Sequence, residues 1–413
     1  MTLRAKLSRL QALKENRQQL PVASPTELQQ RLARIDRTRP AHGSKTQHHR
    51  SKEKTLVRQL KGHQVSEGLI RICRRIPLHG SIGRHPLSLL RQQPILPGDK
   101  GLANRRQVYF DTETTGLSGG SGSLAFLFGY ALVEQDNLVV TQYLITRFAG
   151  ETAMLEAISS MLRLEDRLVS YNGKCYDLPL MKTRYRMRGI PEMLDQLHHL
   201  DLLHAVRRLF GGKWPDCRLL TLEQRLLGLR RHNDLPGSEA PEAWFDFVRT
   251  GNRAQLLRVV EHNLQDILSL AMAHAVLTRV IQQPQYHDVD IAALARWLAD
   301  SDTAAAYTLL KGQRQTLSPS GKRLLSQLAR RYGNLALAVE TWEALSQSGC
   351  RSATEQLAKY HEHISKDLES AKYYCEQLPV DEKQQHRLNR IVDKLYRQSI
   401  QPQPLSLAIL PNT

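Results

Sequence analysis

A change of hydrophobic periodicity part-way along the chain most constrains the fold. Between residues 105 and 282, short apolar or alternating stretches typical of strands are interleaved with helical patterns. Two of these stretches, SLAFLFGYALV and NLVVTQYLITRF, meet at the turn sequence EQDN and predict an antiparallel hairpin. From residue 288 to 397 the pattern is helical throughout. The sequence therefore predicts an α/β domain, with a mixed sheet flanked by helices, followed by an all-α region.

The segments outside these two regions differ from them in composition. Residues 1–64 are rich in Arg, Lys, Gln, His and Ser, with too little apolar surface to offset the entropy of ordering. They predict a basic, largely disordered arm, which is equally well interpreted as a tether for nucleic acid or as a solvated tail. Residues 65–104 predict a short ordered lead-in segment, and residues 398–413 a loose tail.

The helical region contains a weak internal repeat. LARRYGNLALAVETW resembles LAKYHEHISKDLESAKYYC, with Ala338 corresponding to Ala371 and a few extra residues in the second copy. Small residues at the helix crossings, each followed by an aromatic residue, are typical of tetratricopeptide-like helix pairs. An ordinary helical bundle is the alternative. In either case the region is a candidate surface for a protein partner.

The charge balance and the cysteines restrict the class of protein. The chain carries 58 Lys and Arg against 40 Asp and Glu, a net charge of +18, which favours a polyanionic partner such as nucleic acid. Its five cysteines are widely spaced and argue against a disulfide framework and against a zinc site. The longest apolar run, residues 124–133, is too short to span a membrane. We therefore expect a cytoplasmic protein without membrane contact.

The strongest local signal is the sequence DTETTG at the end of a predicted strand. Asp111 and Glu113 are two residues apart and project to the same face of that strand. Paired carboxylates repel one another unless a cation neutralises them, and oxygen ligands suit Mg²⁺ or Mn²⁺. Thr114, Thr115 and Gly116 add hydroxyl groups and an open backbone that can approach a phosphate or a sugar.

Two further acidic residues occupy positions with an ordinary structural alternative. Asp177, in YNGKCYDLPL, begins a helix after a strand, and considered alone it is best interpreted as an N-cap. Asp201 lies at a similar junction, where capping is again favoured over a role beside the site. In EHNLQDILSL, His262 and Asp266 are four residues apart and share one helix face, as in many structural hydrogen bonds.

Taken together, the motifs in residues 105–282 resemble those of the DEDD 3′→5′ exonuclease superfamily. The stretches DTETTGLSGGSG, YNGKCYDLPL, LDLLHAVRRLF and EHNLQDILSL look closest to the YprB-type ribonuclease-H-like proteins. The resemblance implies a ribonuclease-H-like fold and a metal-dependent exonuclease acting on DNA or RNA with a free 3′ end. It also implies two Mg²⁺ or Mn²⁺ ions held by Asp111, Glu113, Asp177 and Asp266.

The resemblance further implies a role for each side chain. Asp111 would bridge the two ions, Glu113 and Asp266 would bind the first of them, and Asp177 would bind the second. His262 would orient or deprotonate the attacking water. The family places either a tyrosine four residues before the last aspartate or a histidine five residues before it. Here the histidine occupies the position at minus four.

Substrate contacts and an alternative function complete the hypothesis. Tyr171 and Asn172 are candidates for contacting the terminal nucleotide, and Tyr171, Tyr176 and Phe126 are candidates for base stacking. The main alternative is a catalytically weak or inactive nucleic-acid-binding scaffold that recruits partners through its helical C-terminal region. A structure-specific endonuclease on the same fold is a further alternative, and the choice between DNA and RNA stays open.

Overall fold

The computed structural model describes residues 52–99, 101–102, 104–116, 122–232 and 234–400. Most of the predicted arm and the predicted tail beyond residue 400 lie outside these ranges. The chain divides into two compact units, Met1–Lys61 and Gly62–Thr413. In the first unit residues 52–60 form a helix, α1, and the second unit opens with a strand at His63. Regular structure therefore begins before residue 64, where the composition predicts the arm to end.

The strands of the described residues form one large sheet and one small hairpin. Their bounds are β1 (His63–Ser66), β2 (Leu69–Pro77), β3 (Ser81–Ile82), β4 (His85–Pro86), β5 (Gln107–Thr114), β6 (Ala125–Glu134), β7 (Asn137–Ile145), β8 (Arg167–Ser170) and β9 (His198–Asp201). The seven-stranded sheet has the order β1-β2-β7-β6-β5-β8-β9, and β3 pairs only with β4. The pairs β5–β8 and β8–β9 are parallel and the others antiparallel. The predicted mixed sheet is confirmed, and β6 and β7 form the predicted hairpin.

Helices are interleaved with the later strands and then continue alone. The α/β part contains α2 (Glu151–Met161), α3 (Asp177–Arg188), α4 (Leu202–Phe210), α5 (Leu219–Leu222), α6 (Ala240–Thr250) and α7 (Ala254–Gln282). A π-helical turn at Glu223–Leu227 continues α5 and ends at Gly228, whose φ of 71° is left-handed and favours glycine. The described residues after α7 form α8 (Ile291–Ala299), α9 (Thr303–Gly312), α10 (Pro319–Arg331), α11 (Leu335–Gln347), α12 (Arg351–Tyr360), α13 (Leu368–Glu376) and α14 (Glu382–Ile400).

The long helix α7 organises the α/β domain. It packs against β5, β6 and β7, and many of its apolar side chains, among them Ile267 and Met272, are completely buried. By length and composition it is the one helix, in the part of the chain that the structure describes, that could cross a bilayer. However, 72% of its most apolar window is buried inside the fold, as in the core helix of a globular domain. The residues on this helix are therefore held rigidly relative to the sheet.

The predicted lead-in segment has a definite structural role. Its strand β2 extends the sheet by pairing with β7, and the β3–β4 hairpin contacts the end of the π turn. Arg84 donates to the carbonyl oxygens of Arg225, at 2.5 Å, and Leu226, at 3.3 Å, while Nε2 of His85 lies 2.9 Å from the Leu226 oxygen. Carbonyl groups at a helix end lack helical partners. Arg84 and His85 of the hairpin thus provide hydrogen-bond partners for these carbonyl groups.

The C-terminal helices pack in sequence around small buried residues. Ala338 of α11 and Ala371 of α13 are both completely buried, as their correspondence in the repeat predicts. Each helix contacts the next one, and the extra residues of the second copy coincide with a π turn at His361–Ser365. The predicted all-α region is confirmed, while its assignment to tetratricopeptide-like pairs stays a prediction.

Candidate functional site

Two carboxylates project from the second half of β5. Glu113 is only 8% exposed, and it lies two residues after Asp111 on the same side of the strand. Burial, and then repulsion from Asp266 and Asp177, raises the pKa of Asp111 and of Glu113 well above their ordinary values. The fold therefore brings the acidic residues of all three motifs close enough to oppose one another's ionisation.

Asp177 is the first residue of α3, and its side chain is turned towards the sheet. The N-cap of α3 is Tyr176, which makes no capping hydrogen bond with its side chain, so the capping interpretation of Asp177 is wrong. Instead, the hydroxyl group of Thr112, between the two acids of β5, donates to Oδ1 of Asp177. Burial raises the pKa of Asp177 to about 6, although the Thr112 hydrogen bond acts in the opposite direction.

The loop before Asp177 is anchored by Asp201. Oδ1 of Asp201 accepts from the backbone of Leu203 at 3.1 Å, which caps α4 as predicted. The same carboxylate also accepts from the backbone nitrogens of Asn172, at 2.7 Å, and Lys174, at 3.1 Å. Asn172 has a left-handed φ of 67°, which asparagine tolerates better than most residues. Asp201 thus caps one helix and fixes the loop that leads into the next.

The third motif contributes Asp266 and His262 from α7. Nε2 of His262 lies 3.6 Å from Oδ2 of Asp266, so the histidine at minus four shares the face of the aspartate. Nδ1 of His262 lies 2.7 Å from Oδ1 of Asp234. Asp234 belongs to the segment between the π turn and α6. This contact fixes the plane of the ring and directs its other nitrogen towards Asp266.

Arg231, from the same segment, inserts a positive charge among these acids. Its guanidinium group bonds to Asp266 and to Oδ2 of Asp234, the latter at 3.0 Å. Behind it, Glu223 of the π turn accepts two hydrogen bonds, of 2.7 Å and 2.5 Å, and is completely buried. Burial alone would lower the pKa of Arg231, but the hydrogen bond to Glu223 and the charge of Asp266 raise it. Arg231 therefore stays charged, and Glu223 holds its guanidinium group in place.

Comparison with known proteins assigns the chain to a family. Residues 108–278 match the family model RNase_H_2, described as the RNase_H superfamily. Over 316 residues, 72% of this chain, the sequence is 35% identical to the uncharacterized protein YprB of Bacillus subtilis (strain 168), and the match covers 76% of YprB. The chain belongs to the YprB family. The prediction of an RNase H-like domain of this family is thereby confirmed.

A solved structure gives a more distant likeness. The YprB-family chain matches the family B DNA polymerase from the hyperthermophilic archaeon Pyrobaculum calidifontis with a TM-score of 0.34 and 12% identity. The match covers 63% of this chain but only 34% of the polymerase chain. The YprB-family chain thus spans about a third of the polymerase's length, and a likeness this weak supports no conclusion about activity.

Several of the predicted substrate residues of this YprB-family domain already have partners within the fold. The hydroxyl of Thr114 donates to the Gly116 carbonyl at 2.9 Å, and that of Thr115 accepts from the Leu124 backbone at 2.9 Å. The hydroxyl of Tyr171 donates to the Cys217 carbonyl at 2.6 Å. These contacts occupy the three hydroxyl groups, although all three residues are partly exposed. Of the three aromatic candidates for base stacking, Phe126 is completely buried and Tyr176 is 56% exposed.

Several residues of the site escape the sequence analysis. Arg231 and Asp234 lie in an irregular stretch and Glu223 lies in the π turn before it, 32 to 43 residues before Asp266. No local pattern therefore links these residues to the motifs. Asn263 is different, because it lies inside EHNLQDILSL, three residues before Asp266 and on a neighbouring part of the same helix face. Its helical spacing from Asp266 is a signal in the sequence that Asn263 lies near the site.

The donor set of this YprB-family site suits a hard divalent cation. In the ranges that the structure describes, no three Asp, Glu, His or Cys side chains are already arranged as a formed metal site, and Arg231 bonds to Asp266. The four acids nevertheless offer only carboxylate oxygens, and burial raises the pKa of each. A cation such as Mg²⁺ or Mn²⁺ would relieve their repulsion, so the residues present fit such a group.

Proposed function

We propose that this YprB-family protein is a metal-dependent 3′→5′ exonuclease that hydrolyses phosphodiester bonds in single-stranded DNA or RNA. The observation that carries the proposal is the proximity of Asp111, Glu113, Asp177 and Asp266, which lie close enough to raise the pKa of Asp111 and of Glu113. They belong to a domain of a superfamily whose members generally hydrolyse phosphodiester bonds. The net charge of +18 also supports a polyanionic substrate.

The four carboxylates would hold two Mg²⁺ or Mn²⁺ ions. Such ions supply electrostatic stabilisation for the charge that develops on the phosphate and on the leaving 3′ oxygen. The protein's part is to present the acids in fixed positions. Asp111 and Glu113 come from a central strand, Asp177 from the start of α3, and Asp266 from the core helix. Sites built on regular elements of this kind keep their geometry better than sites on loops.

His262 is the group proposed to accept the proton of the attacking water. When Nδ1 carries the proton that it shares with Asp234, Nε2 keeps a lone pair and is directed towards Asp266. A base in that position removes a proton on the side of the carboxylates. The shift of the histidine to minus four is compatible with this role, because the helix places minus four on the Asp266 face.

The direct test is cleavage of 5′-labelled single-stranded DNA and of the matching RNA with Mg²⁺ or Mn²⁺. Products that shorten step by step from the 3′ end would establish the activity and show the preferred sugar. Asp111→Asn is the matched control, because it keeps the shape of the side chain and removes its charge. Products that persist with chelator or with this variant would come from another nuclease and contradict the proposal.

A second candidate function is a nucleic-acid-binding scaffold that does not cut. The contact between Arg231 and Asp266 favours it, because a cation from the chain already shares the charge of one proposed ligand. The C-terminal helices would then recruit a protein partner. Binding of the labelled strands without cleavage by folded protein, in either metal, would support this alternative over the exonuclease.

A further inference from the structure

Three side-chain positions form a row across the centre of the sheet. In the strand register, Asp111 of β5 lies opposite Gly129 of β6, and Gly129 lies opposite Gln142 of β7. Residues opposite one another on neighbouring strands project to the same face. The row therefore carries a carboxylate, a gap where Gly129 has no side chain, and an amide.

Asn263 of α7 fills the gap above Gly129. A Cβ atom at position 129 would lie only 2.2 Å from Oδ1 of Asn263 and 2.3 Å from the Ile267 side chain. Asn263 is completely buried, and its Nδ2 donates to Oδ2 of Asp111 at 2.8 Å and to the Asp111 carbonyl at 3.3 Å. Its Oδ1 accepts from Nε2 of Gln142 at 2.8 Å. Glycine is thus required at position 129 so that the amide can reach Asp111.

The direction of this chain of hydrogen bonds is fixed at its far end. Nε2 of Gln142, a residue only 1% exposed, also donates to the backbone carbonyl of Val260 at 2.8 Å. A backbone carbonyl can only accept, so Gln142 must present its nitrogen there and not its oxygen. Asn263 must then turn its oxygen towards Gln142 and its nitrogen towards Asp111. The order Val260, Gln142, Asn263, Asp111 follows from donor and acceptor chemistry alone.

We propose that Asn263 and Gln142 are positioning residues, which hold the carboxylate of Asp111 in the orientation that binds the divalent cation. Asn263 restrains the carboxylate, and Gln142 prevents the Asn263 amide from turning over. The inference rests on the proposed function, since it assigns Asp111 to a cation. Partners that orient a metal ligand typically contribute 10–100-fold to metal affinity or activity.

The test is Mn²⁺ binding to the full chain, measured by electron paramagnetic resonance and by calorimetry. Asn263→Leu removes the donor at similar size, and Gln142→Met removes the restraint while leaving Asn263 in place. We expect the Mn²⁺ dissociation constant to rise about 10–100-fold for Asn263→Leu and by a smaller factor for Gln142→Met. Cleavage should recover at high Mn²⁺, which a purely structural defect would not allow.

The matched control is Ser269→Ala, on the same helix. Ser269 is completely buried, and its hydroxyl forms no hydrogen bond with any residue that the structure describes. Its loss therefore tests a buried substitution on α7 that does not touch Asp111. If the wild type binds Mn²⁺ and both variants bind it equally well, the inference is overturned while the exonuclease proposal stands. If the wild type binds no Mn²⁺, the metal-dependent function fails and the inference falls with it. If Asn263→Leu does not fold, the Mn²⁺ dissociation constant of Gln142→Met decides whether the inference stands.

Discussion

Asp111 and Asp266 stand on two sides of the same candidate site, and different chemistry holds each of them. Asp111 accepts a hydrogen bond from Asn263, a neutral amide that is itself held by a second amide. Asp266 instead contacts the guanidinium group of Arg231 and the ring of His262. A neutral donor orients a carboxylate and leaves its charge uncompensated. A cation orients the carboxylate and also compensates its charge.

The difference separates cation binding from proton transfer within one cluster of acids. On the amide side, the hydrogen-bond donor to Asp111 carries no charge, so a bound cation is left to stabilise the negative charge of that carboxylate. On the charged side, Asp266 is compensated by the chain itself, and the same side carries the group proposed to move a proton. We therefore expect changes on the amide side to act mainly on metal affinity and changes on the charged side to act on rate and stability.

The largest expected effect is on the charged side, from His262→Ala. General bases contribute about 10²–10⁴-fold to rate, so single-turnover cleavage should slow by a factor in that range. Mn²⁺ affinity should change little, because the four carboxylates remain. Rate and Mn²⁺ affinity are measured on the same preparation. An equal loss of both would show that the two sides of the site are not separable.

Arg231→Met should cause the next largest effect, and on stability. The substitution leaves the completely buried Glu223 without its cation, and breaking a buried pair in this way costs about 3–5 kcal/mol. Urea unfolding with chelator present measures the loss. The double variant with Glu223→Gln should recover part of it, because no charge then stays buried. A small loss in the single variant would mean that Arg231 contributes little to the fold.

The pH dependence gives a prediction of intermediate size. Burial raises the pKa of Asp177 to about 6, so the folded protein retains this proton to a higher pH than the unfolded chain does. The stability from that proton is present at low pH and is lost as pH rises through about 6, while cation binding strengthens over the same range. Unfolding with chelator between about pH 4 and pH 7 checks the trend. If the unfolding free energy of Asp177→Asn depends on pH as steeply as that of the wild type, the trend arises from other groups.

The smallest effect is expected outside both sides of the comparison. Thr114→Val removes a hydroxyl that bonds to the Gly116 carbonyl at 2.9 Å and keeps the shape of the side chain. A neutral hydrogen bond contributes about 0.5–1.5 kcal/mol, so stability should fall by about that amount while the cleavage rate stays the same. A clear rise in KM for the labelled strand would instead give Thr114 the substrate contact that the sequence predicts.

The four acids can be selected from the sequence because each one lies in a short motif on a regular element. Asp111 and Glu113 follow a strand period of two, and His262 and Asp266 follow a helical spacing of four. Arg231 and Glu223 cannot be found in this way, since a π turn and the irregular stretch after it bring them to the site from elsewhere in the chain. The Gln142–Asn263 contact depends on the register of β5, β6 and β7, which no local pattern specifies.

The π turn at Glu223–Leu227 has a consequence for insertions and deletions in this region. A π turn contains one residue more than an α-helical turn, and each residue of a helix rotates the chain by about 100°. Deletion of one codon within it would restore an ordinary helix and rotate Glu223 away from Arg231. Such an allele would encode every proposed ligand of the site and still lose the ion pair that supports it from behind.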